Sequence, residues 1–98
     1  MIRHVALFKF SSADKNSLAN IFDKAFIEFL TKGYTEHKGY DFGRDLAIRE
    51  GNFDYGVTVI FDDEEGYRNY NVSEAHQELL RTVVTPNISD RASLQFKL

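Results

Sequence analysis

Residues Ile2, His4, Ala6, Phe8 and Phe10 alternate with Arg3, Val5, Leu7 and Lys9. This is the period-two pattern of a β-strand over residues 2–10, with the two sets on opposite faces. His4 is the one polar member of an otherwise apolar row. A polar ring entering such a layer needs a hydrogen-bond partner, a water or a ligand. His4 is therefore the first candidate for function.

The pattern then changes to a helical one. Ser11 and Asp14 have the spacing of a capping box, and Leu18, Ile21, Phe22, Ala25, Phe26, Phe29 and Leu30 recur at three- and four-residue steps, a broad buried stripe. Gly33 after Lys32 predicts the helix end. Residues 36–45 read as a second strand through Tyr40 and Phe42, and residues 49–52 as a turn. The β-branched and aromatic run within residues 54–61 predicts a third strand. Asp62 is expected to cap the next helix, with Glu65 completing the box and the acidic first turn suiting the helix dipole. Adjacent carboxylates at a helix start do not converge on a cation unaided, so this acidic run is read as structural and no metal is expected. Tyr67 and Tyr70 fall on that short helix. Asn71-Val72-Ser73 is expected to interrupt it, with Ser73 capping a further helix through His76, Leu79, Leu80, Val83 and Val84 that Pro86 ends. In the last strand Ala92, Leu94, Phe96 and Leu98 alternate with Arg91, Ser93, Gln95 and Lys97.

Strand, helix, strand, strand, helix pair, strand is an α+β order, the ferredoxin-like split β-α-β plan with both helical layers on one face of a four-stranded antiparallel sheet. Both faces of the first and third strands carry apolar residues. One helical layer hides only one of them, and the uncovered apolar face is a candidate association surface. The expectation is a homodimer with sheets packed face to face, each protomer a single domain over residues 1–98.

The 98 residues include nine Phe, five Tyr and no Trp, enough apolar bulk for one core without staples. With no cysteine, disulfides and thiolate chemistry are excluded. Arg3, His4 and Lys9 interrupt any signal-like apolar start, and no stretch approaches the ~20 residues that cross a bilayer; a cytoplasmic location is expected, with no membrane partner. The formal charge is −3 and the basic residues are dispersed, which argues against nucleic acid. There is no phosphate-binding glycine loop, nucleophile elbow or paired-histidine zinc helix.

Among titratable groups, His37 lies between charged residues and reads as a solvated loop or strand edge. His76 and Tyr70 are six residues apart, which on an unbroken helix is a rotation of about 240°. Only a break at Asn71–Ser73 lets the two converge.

The chain resembles the stress-responsive dimeric α/β barrel proteins, and more distantly the antibiotic-biosynthesis monooxygenase-like barrels. The resemblance rests on Ile2 to Phe10, Gly43-Arg44-Asp45, Asp54-Tyr55-Gly56-Val57 leading into Phe61, Tyr70, Ala75-His76 and Asp90-Arg91. It implies a homodimeric barrel with a cavity between each sheet and its helices. A plant polyketide cyclase of this family performs a cofactor-free aldol condensation, and its catalytic Tyr and His correspond to Tyr70 and His76, its first-strand His to His4. This chain departs from it where a His-Pro-x-His stretch reads Ser73-Glu74-Ala75-His76, where a third-strand His is Val57, and where a first-helix Tyr is Phe.

The resemblance makes His76 a candidate general base, Tyr70 a hydrogen-bond donor to a developing oxyanion, and His4 an orienting group on the opposite wall, with no cofactor. Three alternatives stand beside that reading. They are a noncatalytic binder of a small hydrophobic molecule, a dimerising module with a filled core, and a haem protein with His76 as axial ligand.

Overall fold

The computed structural model describes residues 1–98. Strand β1 spans Ile2–Phe10 and is followed by helix α1, Lys15–Glu28, which continues as a π-helical turn over Phe29–Gly33. Strands β2 (Gly39–Arg44) and β3 (Tyr55–Phe61) come next, then α2 (Glu64–Val72) and α3 (Glu74–Leu79). A second π-helical turn, Leu80–Val84, and a 3-10 turn, Thr85–Asn87, lead into β4 (Ile88–Lys97). All pairings are antiparallel, in the order β2-β3-β1-β4. The α+β, ferredoxin-like plan of a four-stranded antiparallel sheet is thus the observed one.

The helices cover the face that carries Ile2, His4, Phe8 and Phe10 of β1 and Tyr55, Val57, Val59 and Phe61 of β3, all of them buried. Phe22 and Phe26 of α1 pack there against Phe8, Phe10 and Tyr55 at ring separations of 5.0–6.2 Å. The opposite face is bare. Leu7, Leu94 and Phe96 lie on it with 36%, 56% and 42% of their surface exposed; the β1–β4 pairing sets Leu94 opposite Val5 and Phe96 opposite Arg3, on the same face as Leu7.

Local chemistry moves two of the predicted boundaries and changes how a third is made. Asp14, not Ser11, caps α1: its carboxylate takes the Ser17 N–H at 3.2 Å, whereas Ser11 is held away by its own N–H to the Asn87 carbonyl at 2.9 Å. Asp63, not Asp62, caps α2 by accepting the Gly66 N–H at 2.9 Å, while Asp62 pairs with Lys38 at 3.5 Å. The first helix does end at Gly33, but by a π-type bond from the Tyr34 N–H to the Phe29 carbonyl, 2.7 Å, rather than by a left-handed glycine. Gly33 serves close approach instead. A Cβ there would crowd the Phe29 ring at 3.3 Å and touch Ala75 of α3 at an ordinary 3.7 Å, so the glycine leaves room for that ring.

Asp54 ties β1, β3 and α1 together. Its carboxylate accepts the Phe10 N–H at 2.9 Å and the Lys15 ammonium at 2.9 Å. Burial alone would raise its pKa, but these partners bring it below the usual carboxylate value.

Candidate functional site

His4 enters the covered layer through the strand alternation and is only 6% exposed. Its Nδ1 lies 3.0 Å from the side-chain amide nitrogen of Gln95, its register partner on β4. An amide N–H can only donate, so Nδ1 is the acceptor and Nε2 carries the proton of a neutral ring. Burial, with His76 as a lesser contributor, pushes the His4 pKa down to about 4.

Tyr70 and His76 are brought together by the expected break. Ser73 leaves the helical region (φ −61°, ψ 147°) and ends α2 while capping α3. The chain direction changes there, and the two rings meet with centroids 4.6 Å apart. The His4 ring lies 5.7 Å from Tyr70 and 4.9 Å from Tyr67. All three candidates therefore sit in one aromatic cluster, closed on its inner side by Phe29 and Phe61.

The His76 ring has a defined tautomer. Its Nδ1 lies 3.0 Å from the Asn71 carbonyl oxygen, which can only accept, so Nδ1 carries the proton and Nε2 presents a lone pair. Burial lowers its pKa, the Asn71 bond partly opposes this, and the Arg91 charge lowers it further; His76 is neutral at pH 7. Tyr70 is 2% exposed, and its phenol makes no hydrogen bond within the chain. Burial, and then the neighbouring Tyr67, push its pKa well above the usual tyrosine value, so it is a donor and not a base.

These groups line a cavity of about 80 Å³ between β1, β4, α2 and α3. Its walls are apolar at Phe8, Phe26, Val57, Leu79 and Leu80 and polar at Asn71, Arg91 and Ser93. A water needs about 10–15 Å³ by this measure, so the space takes several waters or a molecule of a few heavy atoms. It falls well short of the ~300 Å³ at which drug-sized ligand sites begin. The haem reading of His76 does not fit such a space.

His37 plays no part in this cluster. Its Nε2–H donates to the Leu30 carbonyl at 2.7 Å and its ring packs edge-on against Tyr40, so it is a half-buried tie to the helix end rather than a solvated side chain. No group of His, Asp and Glu is arranged to hold a metal ion. No helix is long and apolar enough to cross a membrane.

Arg91, Ser93 and Gln95 were not among the expected site residues. They stand opposite Phe8, Ala6 and His4 in the β1–β4 register, which turns the polar row of β4 toward the cavity and its apolar row outward. The alternation of β4 was visible in the sequence, and the register with β1 supplied the missing parity.

A search of curated proteins finds no match. Among solved structures, a dimeric ferredoxin-like protein of unknown function from Thermobifida fusca is 32% identical, with a TM-score of 0.86 over 99% of this chain and 90% of that one. A hydroxynitrile lyase from Passiflora edulis is 17% identical with a TM-score of 0.81, covering 99% and 92%. A mutant of SnoaB, a cofactor-independent oxygenase from Streptomyces nogalater, is 13% identical with a TM-score of 0.69, covering 99% and 91%. At such identities the last two share the fold alone. The model of the stress-responsive A/B barrel domain matches residues 2–98. With that match running almost end to end, and with the sheet, helix break and cavity described above, this chain belongs to the stress-responsive A/B barrel domain family.

Proposed function

We propose that the cavity binds a small carbonyl compound and that the protein is a cofactor-free acid–base catalyst acting next to that carbonyl. The observation that carries the reading is that Tyr70, whose phenol makes no hydrogen bond within the chain, and the neutral His76 lie with ring centroids 4.6 Å apart on the wall of one small cavity. His76 Nε2 removes a proton α to the carbonyl, and Tyr70 donates to the oxygen on which negative charge develops. A well-aimed donor of this kind lowers the barrier by about 3 kcal/mol. His4, held by Gln95, fixes the opposite wall. The lyase and oxygenase on the same fold support the reading by analogy only.

The working unit in this proposal is a homodimer that buries the bare face of β1, β3 and β4. Relatives of this fold are described as dimeric, and Leu94 and Phe96 form an apolar patch that water would otherwise cover.

The test is α-proton exchange. Propanone and butanone are incubated in D2O with the wild type, Tyr70→Phe and His76→Ala, and deuterium uptake is followed by NMR. Uptake above the buffer rate in the wild type, lost in His76→Ala and reduced about a hundredfold in Tyr70→Phe, is the expected result. Wild-type uptake at the buffer rate rejects the assignment.

A further inference from the structure

The cavity has one charged group on its wall and nothing to balance it. Arg91 pairs in register with Phe8, so its side chain falls on the covered face, and it lines the cavity while remaining open to solvent, which places it at the rim. Its guanidinium makes no salt bridge or hydrogen bond within the chain; the ion pairs all lie elsewhere. No Asp or Glu lines the cavity. The neighbouring Asp90 is no partner either, because it pairs with Lys9 in register and so belongs to the opposite face.

We infer that Arg91 is the specificity-determining residue of this site and that the ligand is a small carboxylate, whose anionic end meets Arg91 at the rim while its apolar or carbonyl-bearing end reaches Tyr70 and His76. This rests on the proposed function and narrows its substrate class. A guanidinium presents its N–H groups in a planar fork that matches a carboxylate with two parallel hydrogen bonds. Ser93, next along the same row and on the same wall, adds a hydroxyl donor to the same end. An anion also offsets the depression that the Arg91 charge imposes on His76, making its Nε2 a stronger base when the ligand is in place.

The experiment compares two molecules of the same size and shape, 3-oxobutanoate and the uncharged pentane-2,4-dione, by NMR titration of the His76 and Tyr70 ring resonances at pH 7. The wild type is expected to bind 3-oxobutanoate about tenfold or more tightly, the scale of one charge-assisted contact. Arg91→Gln should erase that preference chiefly by weakening 3-oxobutanoate, Arg91→Lys should restore part of it, and Lys97→Gln, further along the same row, should leave it intact. Equal wild-type affinities, or a preference that survives in Arg91→Gln, overturn the inference while leaving the carbonyl site standing. If neither compound moves the ring resonances, the ligand-binding reading of the cavity falls and this inference with it.

Discussion

The Ser73 hydroxyl accepts the His76 N–H at 3.2 Å while donating to the Tyr70 carbonyl at 2.8 Å. One side chain thus caps the helix that carries the histidine and tethers it to the last turn of the helix that carries the tyrosine. The hydroxyl spans the junction between α2 and α3 that brings the two rings to 4.6 Å.

Replacing Ser73 with Ala removes the cap and the tether together. A stability loss of about 1 kcal/mol is expected, measured by urea unfolding. Proton exchange on the small ketones should fall by a larger factor than this loss implies, because a shift of the His76 ring misdirects the base. Loss of stability with undiminished exchange would detach Ser73 from the geometry of the site.

Stability should fall on mild acidification. Both His4 and His76 have folded-state pKa values below the ordinary 6.5, His4 at about 4, so the unfolded chain takes up protons first as pH drops. Their contribution is complete above pH ~6.5 and is lost as pH falls toward 4, on the order of 3 kcal/mol for His4. Asp54, depressed below its usual value, adds a separate loss at still lower pH. Urea midpoints at pH 7, 5.5 and 4 at fixed protein concentration measure the slope, which His4→Gln should flatten. A midpoint that does not change between pH 7 and 4 contradicts the burial of these rings.

Placing a charge on the bare sheet face should separate the protomers. Leu94→Asp or Phe96→Asp introduces an unpaired carboxylate where an apolar side chain would be buried in the dimer, raising the dissociation constant at least about a hundredfold. Sedimentation equilibrium reads the result. A wild type that sediments as a monomer at high micromolar concentration would refute the proposed dimer directly.

Tyr55→Phe offers a contrast away from the cavity. The Tyr55 hydroxyl donates to Asp23 Oδ1 at 2.7 Å, and the same carboxylate holds Arg44 of β2 at 2.7 Å. Losing a bond to a charged acceptor is expected to cost about 1.5 kcal/mol, seen in thermal unfolding. Ligand titrations of His76 should be unchanged, since this network joins α1, β2 and β3 at a distance from the cavity.

Much of this molecule could be read before its structure was known. The alternation around His4, the helical stripe through Phe22 and Phe26, and the cap at Ser73 are local patterns set by residues near one another in the chain, and each occurs as expected except that Ile21, at the edge of the stripe, is exposed. The caps at Asp14 and Asp63 fall three residues and one past the positions that spacing predicts, because Asp and Ser neighbours compete for the same N–H groups and remote contacts choose the winner: Asn87 engages Ser11, and Lys38 engages Asp62.

The order of the elements, the aromatic core and the row on which His4 lies are all written locally in the chain, since they follow from periodicity and capping over short spans. The contact of Tyr70 with His76 comes from the backbone angles at Ser73, and the β1–β4 register puts Arg91, Ser93 and Gln95 on the helix-covered side of the sheet, not the bare side. Alternation sorts a strand into two rows, but the choice of row depends on a partner strand some ninety residues away, and a one-residue slip would exchange them.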